Sequence, residues 1–247
     1  MREAGMKQGI FTVAENKALT PSVYRMVLSG DASAVTAPGQ FINILIDGLF
    51  LRRPISVCDS TPDSVTIIYK VIGKGTEKMS QMTKGEQLDV LTGLGNGYDV
   101  SAAGNTPLLI GGGVGVPPLY KLAKLLTAAG KTVTVILGFN TKDEIFYEKE
   151  FAALGADVRV TTVDGSYGIK GFVTAAMPET CSHYYACGPE PMLKAVFSAA
   201  KSPGEMSFEE RMGCGFGACM GCSCKTVTGF KRICKDGPVM KSEDILW

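Results

Sequence analysis

The sequence predicts a multidomain chain of β followed by α/β architecture. It comprises an antiparallel β-barrel or sandwich over residues 1–100, a parallel-sheet α/β domain over 101–204 and a small cysteine-rich domain over 205–247. Three observations carry that prediction. Up to about Val100, short runs of β-branched or alternating apolar residues are separated by Gly, Pro, Asp and Asn clusters. After Gly104, apolar strands alternate with segments of helical spacing. Beyond Glu205, five of the eight cysteines lie between Cys214 and Cys234.

In the first part, strands are expected at Ser22–Ser29, Gln40–Ile46, Ile55–Cys58, Val65–Val71 and Gln87–Leu91, with one helical segment near Gly75–Met82. Frequent short strands of this kind suggest a closed barrel or a sandwich. In the second part, Pro107–Gly111 reads as a strand. Pro117–Ala129 reads as a helix, with Leu119, Leu122, Ala123 and Leu126 at helical spacing. A strand at Thr132–Leu137, a helix at Ile145–Leu154, strands at Asp157–Thr162 and His183–Ala186 and a helix at Pro191–Ala200 follow. This alternation implies a parallel sheet with right-handed crossovers. The last part is Gly-rich, and little regular structure is expected there.

Composition removes several function classes. With 25 basic and 24 acidic residues the net charge is +1, which argues against a nucleic-acid binder. A single histidine, His183, leaves no room for a two-histidine metal site and little for imidazole acid–base chemistry, so no residue is assigned as a catalyst. Val100–Tyr120 carries no charge and is long enough to cross a bilayer, but its glycines and prolines argue against a spanning helix. No membrane association is expected. The amino terminus lacks an apolar signal region, and a cytoplasmic location is expected, where clustered cysteines serve metal or redox chemistry rather than disulfides.

The strongest motif is Cys214-x4-Cys219-x2-Cys222 with Cys234 downstream, the plant-type ligand pattern of a 2Fe–2S cluster. Three thiolates from one short loop and a fourth from a later segment can converge on two irons, and Gly213, Gly215, Gly217 and Gly221 let the backbone curl round them. Cys224 breaks the pattern and is not expected to be a ligand. The competing reading is a zinc ribbon, which favours two C-x2-C pairs where only one is present.

Three weaker motifs accompany it. Gly112, Gly113 and Gly115 lie in a Gly-rich turn between an apolar strand and a helix, where backbone N–H groups can approach a pyrophosphate; an ordinary strand–helix turn is the alternative. Cys187, Gly188 and Pro189 follow another apolar strand, at the edge where open α/β sheets bind ligands, although Cys187 could equally be a small buried hydrophobe. Arg53, Pro54, Ile55 and Ser56 offer a guanidinium for phosphate and a hydroxyl for a ring, with Tyr69 as a flat face and Gly75–Thr76 as an anion-binding turn; a solvated edge is the alternative.

Together with Pro38-Gly39-Gln40-Phe41, these motifs resemble the ferredoxin–NADP reductase superfamily. The segment ERMGCGFGACMGCSCKT with CKDGPV makes the chain look like the electron-transfer subunits of heteromeric, NAD-dependent dihydroorotate dehydrogenases. The resemblance implies a FAD-binding β-barrel, a nucleotide-binding α/β domain and a 2Fe–2S domain. It assigns Arg53, Pro54, Ile55, Ser56, Ile68, Tyr69, Lys70, Gly75 and Thr76 to FAD, and Gly112, Gly113, Gly115, Cys187, Gly188 and Pro189 to NAD(H). Cys214, Cys219, Cys222 and Cys234 become the cluster ligands. It further implies a catalytic partner carrying FMN, a two-plus-two heterotetramer and a place in pyrimidine biosynthesis. The alternative is a diaphorase subunit of another complex, such as a sulfite reductase, hydrogenase or ferredoxin–NADP transhydrogenase. One departure is Thr92-Gly93-Leu94-Gly95, where related reductases tend to read G-P-L-G. The lack of an arginine after Leu137-Gly138-Phe139-Asn140, with Lys142 beside Asp143 and Glu144, favours NADH over NADPH. Glu209 and Glu210 are either near a redox group or part of a solvated charge run.

Overall fold

A computed structural model describes residues 5–247. The first six strands are β1 (Lys7–Ala18), β2 (Val23–Ser29), β3 (Phe41–Ile44), β4 (Arg53–Thr61), β5 (Ser64–Lys70) and β6 (Gln87–Leu94). They close an antiparallel barrel in the order β1-β2-β5-β4-β3-β6. Closure leaves no exposed sheet edge. Alternation drives the packing: Phe11 and Val13, Met26 and Leu28, Ile42 and Ile44, and Val65 and Ile67 all point into one core. β1 is not among the strands that the sequence pattern singles out, because only Phe11 and Val13 are buried within a run of Lys, Gln, Glu and Asn. Helix α1 (Lys74–Gln81) lies between β5 and β6 and buries Met79 in the barrel core.

The parallel part begins with β7 (Leu108–Gly112), followed by 3-10 turns at Gly113–Gly115 and Pro117–Leu119 and by α2 (Tyr120–Ala128). Then come β8 (Thr134–Phe139), α3 (Glu148–Ala153), β9 (Asp157–Thr162), β10 (Ile169–Lys170), β11 (Tyr184–Cys187), α4 (Glu190–Ala199) and β12 (Gly204–Ser207). Helix α3 starts later than the expected Ile145. The 3-10 turn at Lys142–Glu144 and the left-handed Tyr147 (φ 66°) interrupt the helical pattern, and the Tyr147 ring packs edge-on against Tyr120.

The closing segment contains β13 (Ser223–Thr226) and β14 (Gly229–Arg232), which form a hairpin, then α5 (Ile233–Asp236) and β15 (Val239–Lys241). The larger sheet has seven strands in the order β10-β9-β8-β7-β11-β12-β15, parallel except for the last pair. The expectation of little regular structure beyond Glu205 is therefore corrected: β12 and β15 extend the sheet. Neither has the apolar run of a central strand, and both are short. Among the described residues no helix is long and apolar enough to cross a membrane.

The chain divides into two compact units. One holds residues up to Gly97 with Glu209–Cys224 and Phe230–Pro238, and the other holds Tyr98–Phe208 with Lys225–Gly229 and Val239–Trp247.

Candidate functional site

In the barrel unit, antiparallel pairing sets Arg53 opposite Ile44, Pro54 opposite Asn43, Ile55 opposite Ile42 and Ser56 opposite Phe41. All four residues of the Arg-Pro-Ile-Ser run remain partly exposed. The two neighbouring arginines differ. Arg52 Nη1 donates to the Asp89 carboxylate and carbonyl, each at 3.0 Å, and that bond holds the Asp89 carboxyl below its usual range. Arg53 makes no ion pair among the described residues. Its guanidinium lies over Gly75 at the amino end of α1, where any Cβ would strike Nε. The Thr76 hydroxyl accepts the N–H groups of Ile72 at 3.0 Å and Gly73 at 3.3 Å and so rigidifies that turn. A guanidinium and a helix amino terminus at one corner fit an anionic phosphate.

Tyr69 does not offer a flat face to a ligand. Its ring is buried in the barrel core 6.0 Å from Tyr24, and its hydroxyl donates to Asn16 Oδ1 at 3.1 Å. Burial, partly offset by Asn16, pushes its pKa up. Ile68 is buried, Lys70 is exposed, and the backbone of Ile68–Lys70 is what this segment can present to a ligand. At the Gly93–Gly95 turn, the Asn96 N–H bonds the Gly237 carbonyl at 2.7 Å and Gln40 Nε2 bonds the Gly95 carbonyl at 3.0 Å. These bonds hold the turn without a proline.

The four motif cysteines come together in the same unit. Cys219 lies against Cys214 and Cys234 against Cys222, and the charge of Cys214 also reaches Cys234. Among the described residues no group of three or more His, Cys, Asp or Glu is placed to hold a metal ion; the thiols meet two by two, Cys214 with Cys219 and Cys222 with Cys234. Backbone N–H groups point at the sulfurs: Ala218 to Cys214 at 3.2 Å, Cys219 to Cys214 at 3.5 Å, Gly221 to Cys219 at 3.5 Å and Cys234 to Cys222 at 3.4 Å. Burial opposes ionisation of Cys214, yet the N–H groups of Cys219, Phe216 and Ala218 outweigh it and bring the thiol down to about 6. Cys234 is buried beside Cys222, and its pKa is pushed up to about 12. Gly215 and Gly217 sit at φ 80° and 89°, the curl that aims the following N–H groups inward. Arg232 donates to the Gly217 carbonyl at 2.9 Å and to Asp236, tying the loop to the segment that carries Cys234. Two thiol pairs within a nest of N–H donors fit a two-iron cluster. Cys224 lies on β13, where burial and the nearby Glu210 and Cys222 raise its pKa.

Sequence reasoning missed Asn43. This β3 residue is 1% exposed, and its Nδ2 donates to the Cys214 carbonyl at 3.2 Å. A polar residue within Phe-Ile-Asn-Ile was the available signal.

In the other unit, β7 and β11 are parallel neighbours with Gly111 opposite Cys187. The strand after β7 in the chain, β8, pairs on its other side. The carboxyl ends of β7 and β11 thus flank a topological switch point, where open α/β sheets bind ligands. The Gly112–Gly115 turn and Cys187–Pro189 meet there. Most of the space that these glycines open is filled by the chain itself. A Cβ on Gly115 would strike the Cys187 carbonyl, and Cβ atoms on Gly112 or Gly188 would strike the Met192 side chain. Gly113, at φ 51°, alone among them faces open space. The buried Tyr98 hydroxyl bonds the Ala186 carbonyl at 3.1 Å and steadies the end of β11. Beyond β8, Asn140 donates through its N–H (3.1 Å) and Nδ2 (3.0 Å) to Glu144, which places a carboxylate at the strand end. His183 is buried beside Tyr185 at 4.7 Å, with its pKa lowered by burial, as suits a neutral packing residue.

Comparison with known proteins agrees with this geometry. Residues 209–246 match the iron-sulfur cluster binding domain of dihydroorotate dehydrogenase B, and residues 109–197 match an oxidoreductase NAD-binding domain. The chain is 44% identical over 256 residues to the dihydroorotate dehydrogenase B (NAD(+)) electron transfer subunit of a Geobacillus species, covering 98% of this chain and 99% of that one. It is 45% identical over 251 residues to the subunit of the same name from Fusobacterium nucleatum, covering 95% and 96%. The solved NADH-dependent reduced ferredoxin-NADP oxidoreductase superposes with a TM-score of 0.88 at 31% identity, over 97% of this chain and 90% of that one. The paired thiols, the switch-point turn and near-full-length identity at this level converge: the chain belongs to the family of electron-transfer subunits of NAD-dependent dihydroorotate dehydrogenase B.

Proposed function

We propose that the protein carries electrons between NAD(H) and a catalytic dihydroorotate dehydrogenase subunit, using FAD and a 2Fe–2S cluster. The observation that carries this reading is the grouping of Cys214 with Cys219 and Cys222 with Cys234 beneath backbone N–H donors. When bound, the flavin supplies the exchange between two-electron nicotinamide chemistry and one-electron cluster chemistry. Arg53 and the Gly75–Thr76 turn would hold the FAD pyrophosphate, Pro54, Ile55 and Ser56 its ring system, and the backbone of Ile68, Tyr69 and Lys70 the remaining edge. Gly112, Gly113, Gly115, Cys187, Gly188 and Pro189 would cradle NAD(H). Glu144, held by Asn140, would accept a ribose hydroxyl and repel a 2′-phosphate, which favours NADH.

In this reading the flavin belongs to residues 1–100, the nicotinamide to 101–204 and the cluster to 205–247. The partner carries FMN, oxidises dihydroorotate in pyrimidine biosynthesis, and assembles as a two-plus-two heterotetramer in the cytoplasm. A second reading, a diaphorase subunit of another complex, draws on the 31% identity to the ferredoxin-NADP oxidoreductase, but the relatives named as dihydroorotate dehydrogenase subunits are more similar.

The test is anaerobic purification alone and with the catalytic subunit. The isolated chain should hold one flavin and two irons with acid-labile sulfide, and the complex should couple dihydroorotate oxidation to NAD⁺ reduction. A chain without flavin or iron refutes the redox reading; a loaded chain that does not couple to that partner transfers it to the diaphorase class.

A further inference from the structure

One side chain, Asn43, reaches from the strand pair of the flavin segment to the cysteine loop. It sits on β3 directly opposite Pro54, inside the segment assigned to the flavin. Its neighbours Ile42 and Ile44 face the barrel core, so strand alternation turns Asn43 to the other face. There Nδ2 donates to the carbonyl of Cys214 at 3.2 Å, 171 residues away in sequence. The same nitrogen closes over Gly215, where any Cβ would strike it. Asn43 thus touches both halves of the Cys214–Gly215 peptide, which opens the loop whose N–H groups reach the Cys214 sulfur.

The rest of the side chain shows that this contact has a cost. With Nδ2 committed, Oδ1 is buried and has no hydrogen-bond partner. A flipped amide would set oxygen against the Cys214 carbonyl, so the orientation is forced. An apolar residue of similar size would avoid the orphaned acceptor, so barrel packing alone does not explain an amide here.

We infer that Asn43 is a positioning residue of the electron path: through Nδ2 it holds the Cys214–Gly215 peptide, and with it the N–H donors on the Cys214 sulfur, against the strand pair that carries the flavin segment. The inference rests on the reading above. Hydrogen bonds to cluster sulfurs raise the reduction potential. Loss of the Asn43 anchor should loosen those from Ala218 and Cys219 and lower it.

The experiment compares wild-type protein with Asn43→Leu, which keeps the volume and removes the donor. Each is purified anaerobically with flavin and iron quantified, then titrated potentiometrically while the EPR spectrum of the reduced cluster is recorded. The expected result is a changed EPR line shape and a cluster potential lowered enough to shift the one-electron flavin–cluster equilibrium about tenfold, or about 59 mV. A folded, flavin-loaded variant that fails to retain iron also supports the anchor. Asn43→Ser, a smaller change, is read in the same way if the leucine variant is not recovered. A folded, fully loaded variant with wild-type potential and EPR spectrum overturns the inference, as does loss of fold in both variants, which would assign Asn43 to barrel stability. Wild-type protein without flavin or iron refutes the underlying reading instead, so the two failures are distinguishable.

Discussion

The cysteine loop and the glycine turn of the α/β sheet are both glycine-rich, yet their glycines do different work. At Gly215 and Gly217 the positive φ curls the backbone so that later N–H groups converge on sulfur. At Gly112, Gly115 and Gly188 the missing side chain lets the chain touch itself, against the Met192 side chain and the Cys187 carbonyl. The first is an arrangement made for a guest; the second is a self-packed shelf that exists before a guest arrives. Glycine density alone does not separate the two. Nor does what a missing Cβ would meet, since Gly215 and Gly217 also close on the Asn43 and Lys235 side chains; the N–H groups that the loop turns onto sulfur do separate them.

The comparison can be broken most severely at the thiols. Replacing Cys214, Cys219, Cys222 or Cys234 by Ser should abolish the cluster, read as loss of iron, sulfide and visible absorbance, while Cys224→Ser should retain it. Equal loss for Cys224 would show that the two pairs are not the ligand set. Removing the iron with a chelator should raise amide exchange at residues 213–222 and leave Leu108–Gly112 and Tyr184–Cys187 protected, because the shelf does not depend on a ligand.

The next largest effect separates Gly115 from Gly113. Gly115→Ala drives a methyl into a backbone carbonyl that cannot rotate away, and should cost about 1–3 kcal/mol as overpacking. It should also weaken NADH binding, measured by thermal unfolding and nucleotide titration. Gly113→Ala meets open space and should cost only about 1–2 kcal/mol for its left-handed backbone. If Gly113→Ala proves the more damaged of the two, the shelf is not self-packed in the way described.

The smallest effects repeat the contrast in two adjacent arginines. Arg53→Gln should release flavin with little loss of fold. Arg52→Gln should keep flavin and lose about 0.2–1 kcal/mol of barrel stability at neutral pH, the usual worth of a partly exposed pair. Asp89 has a depressed folded pKa, so the pair stabilises above the unfolded carboxylate value of about 3.9 and fades as pH falls through the lower folded value. The difference between wild type and Arg52→Gln should therefore vanish in acid, as followed by denaturant unfolding against pH.

Much of this was legible in the sequence because it is local. Turn residues mark the strands, and the cysteine spacing marks a loop that can close on two irons. The α1 segment was readable from Gly75 to Met82 for the same reason. Tyr69 was legible but misread: Val65, Ile67 and Tyr69 alternate along β5, which puts the tyrosine on the core face rather than toward a ligand. β1 was obscured by its polar residues, and β12 and β15 by their shortness. The Asn43–Cys214 bond was out of reach in physical terms. Nothing near either residue in the chain announces a partner so far away, and only barrel closure together with the return of the chain creates it.

That return has its own consequence. β12 and β15 are hydrogen-bonded neighbours with Ser207 opposite Val239, so everything between them leaves and re-enters through one antiparallel doorway. Paired residues across such a ladder stand about 4.5–5.5 Å apart, a gap that a tight hairpin can bridge. A short turn from Ser207 to Val239 would remove the cysteine-bearing stretch and keep the strand order of the sheet, while breaking the Asn96–Gly237 bond of the barrel turn and the Thr226–Ile245 bridge.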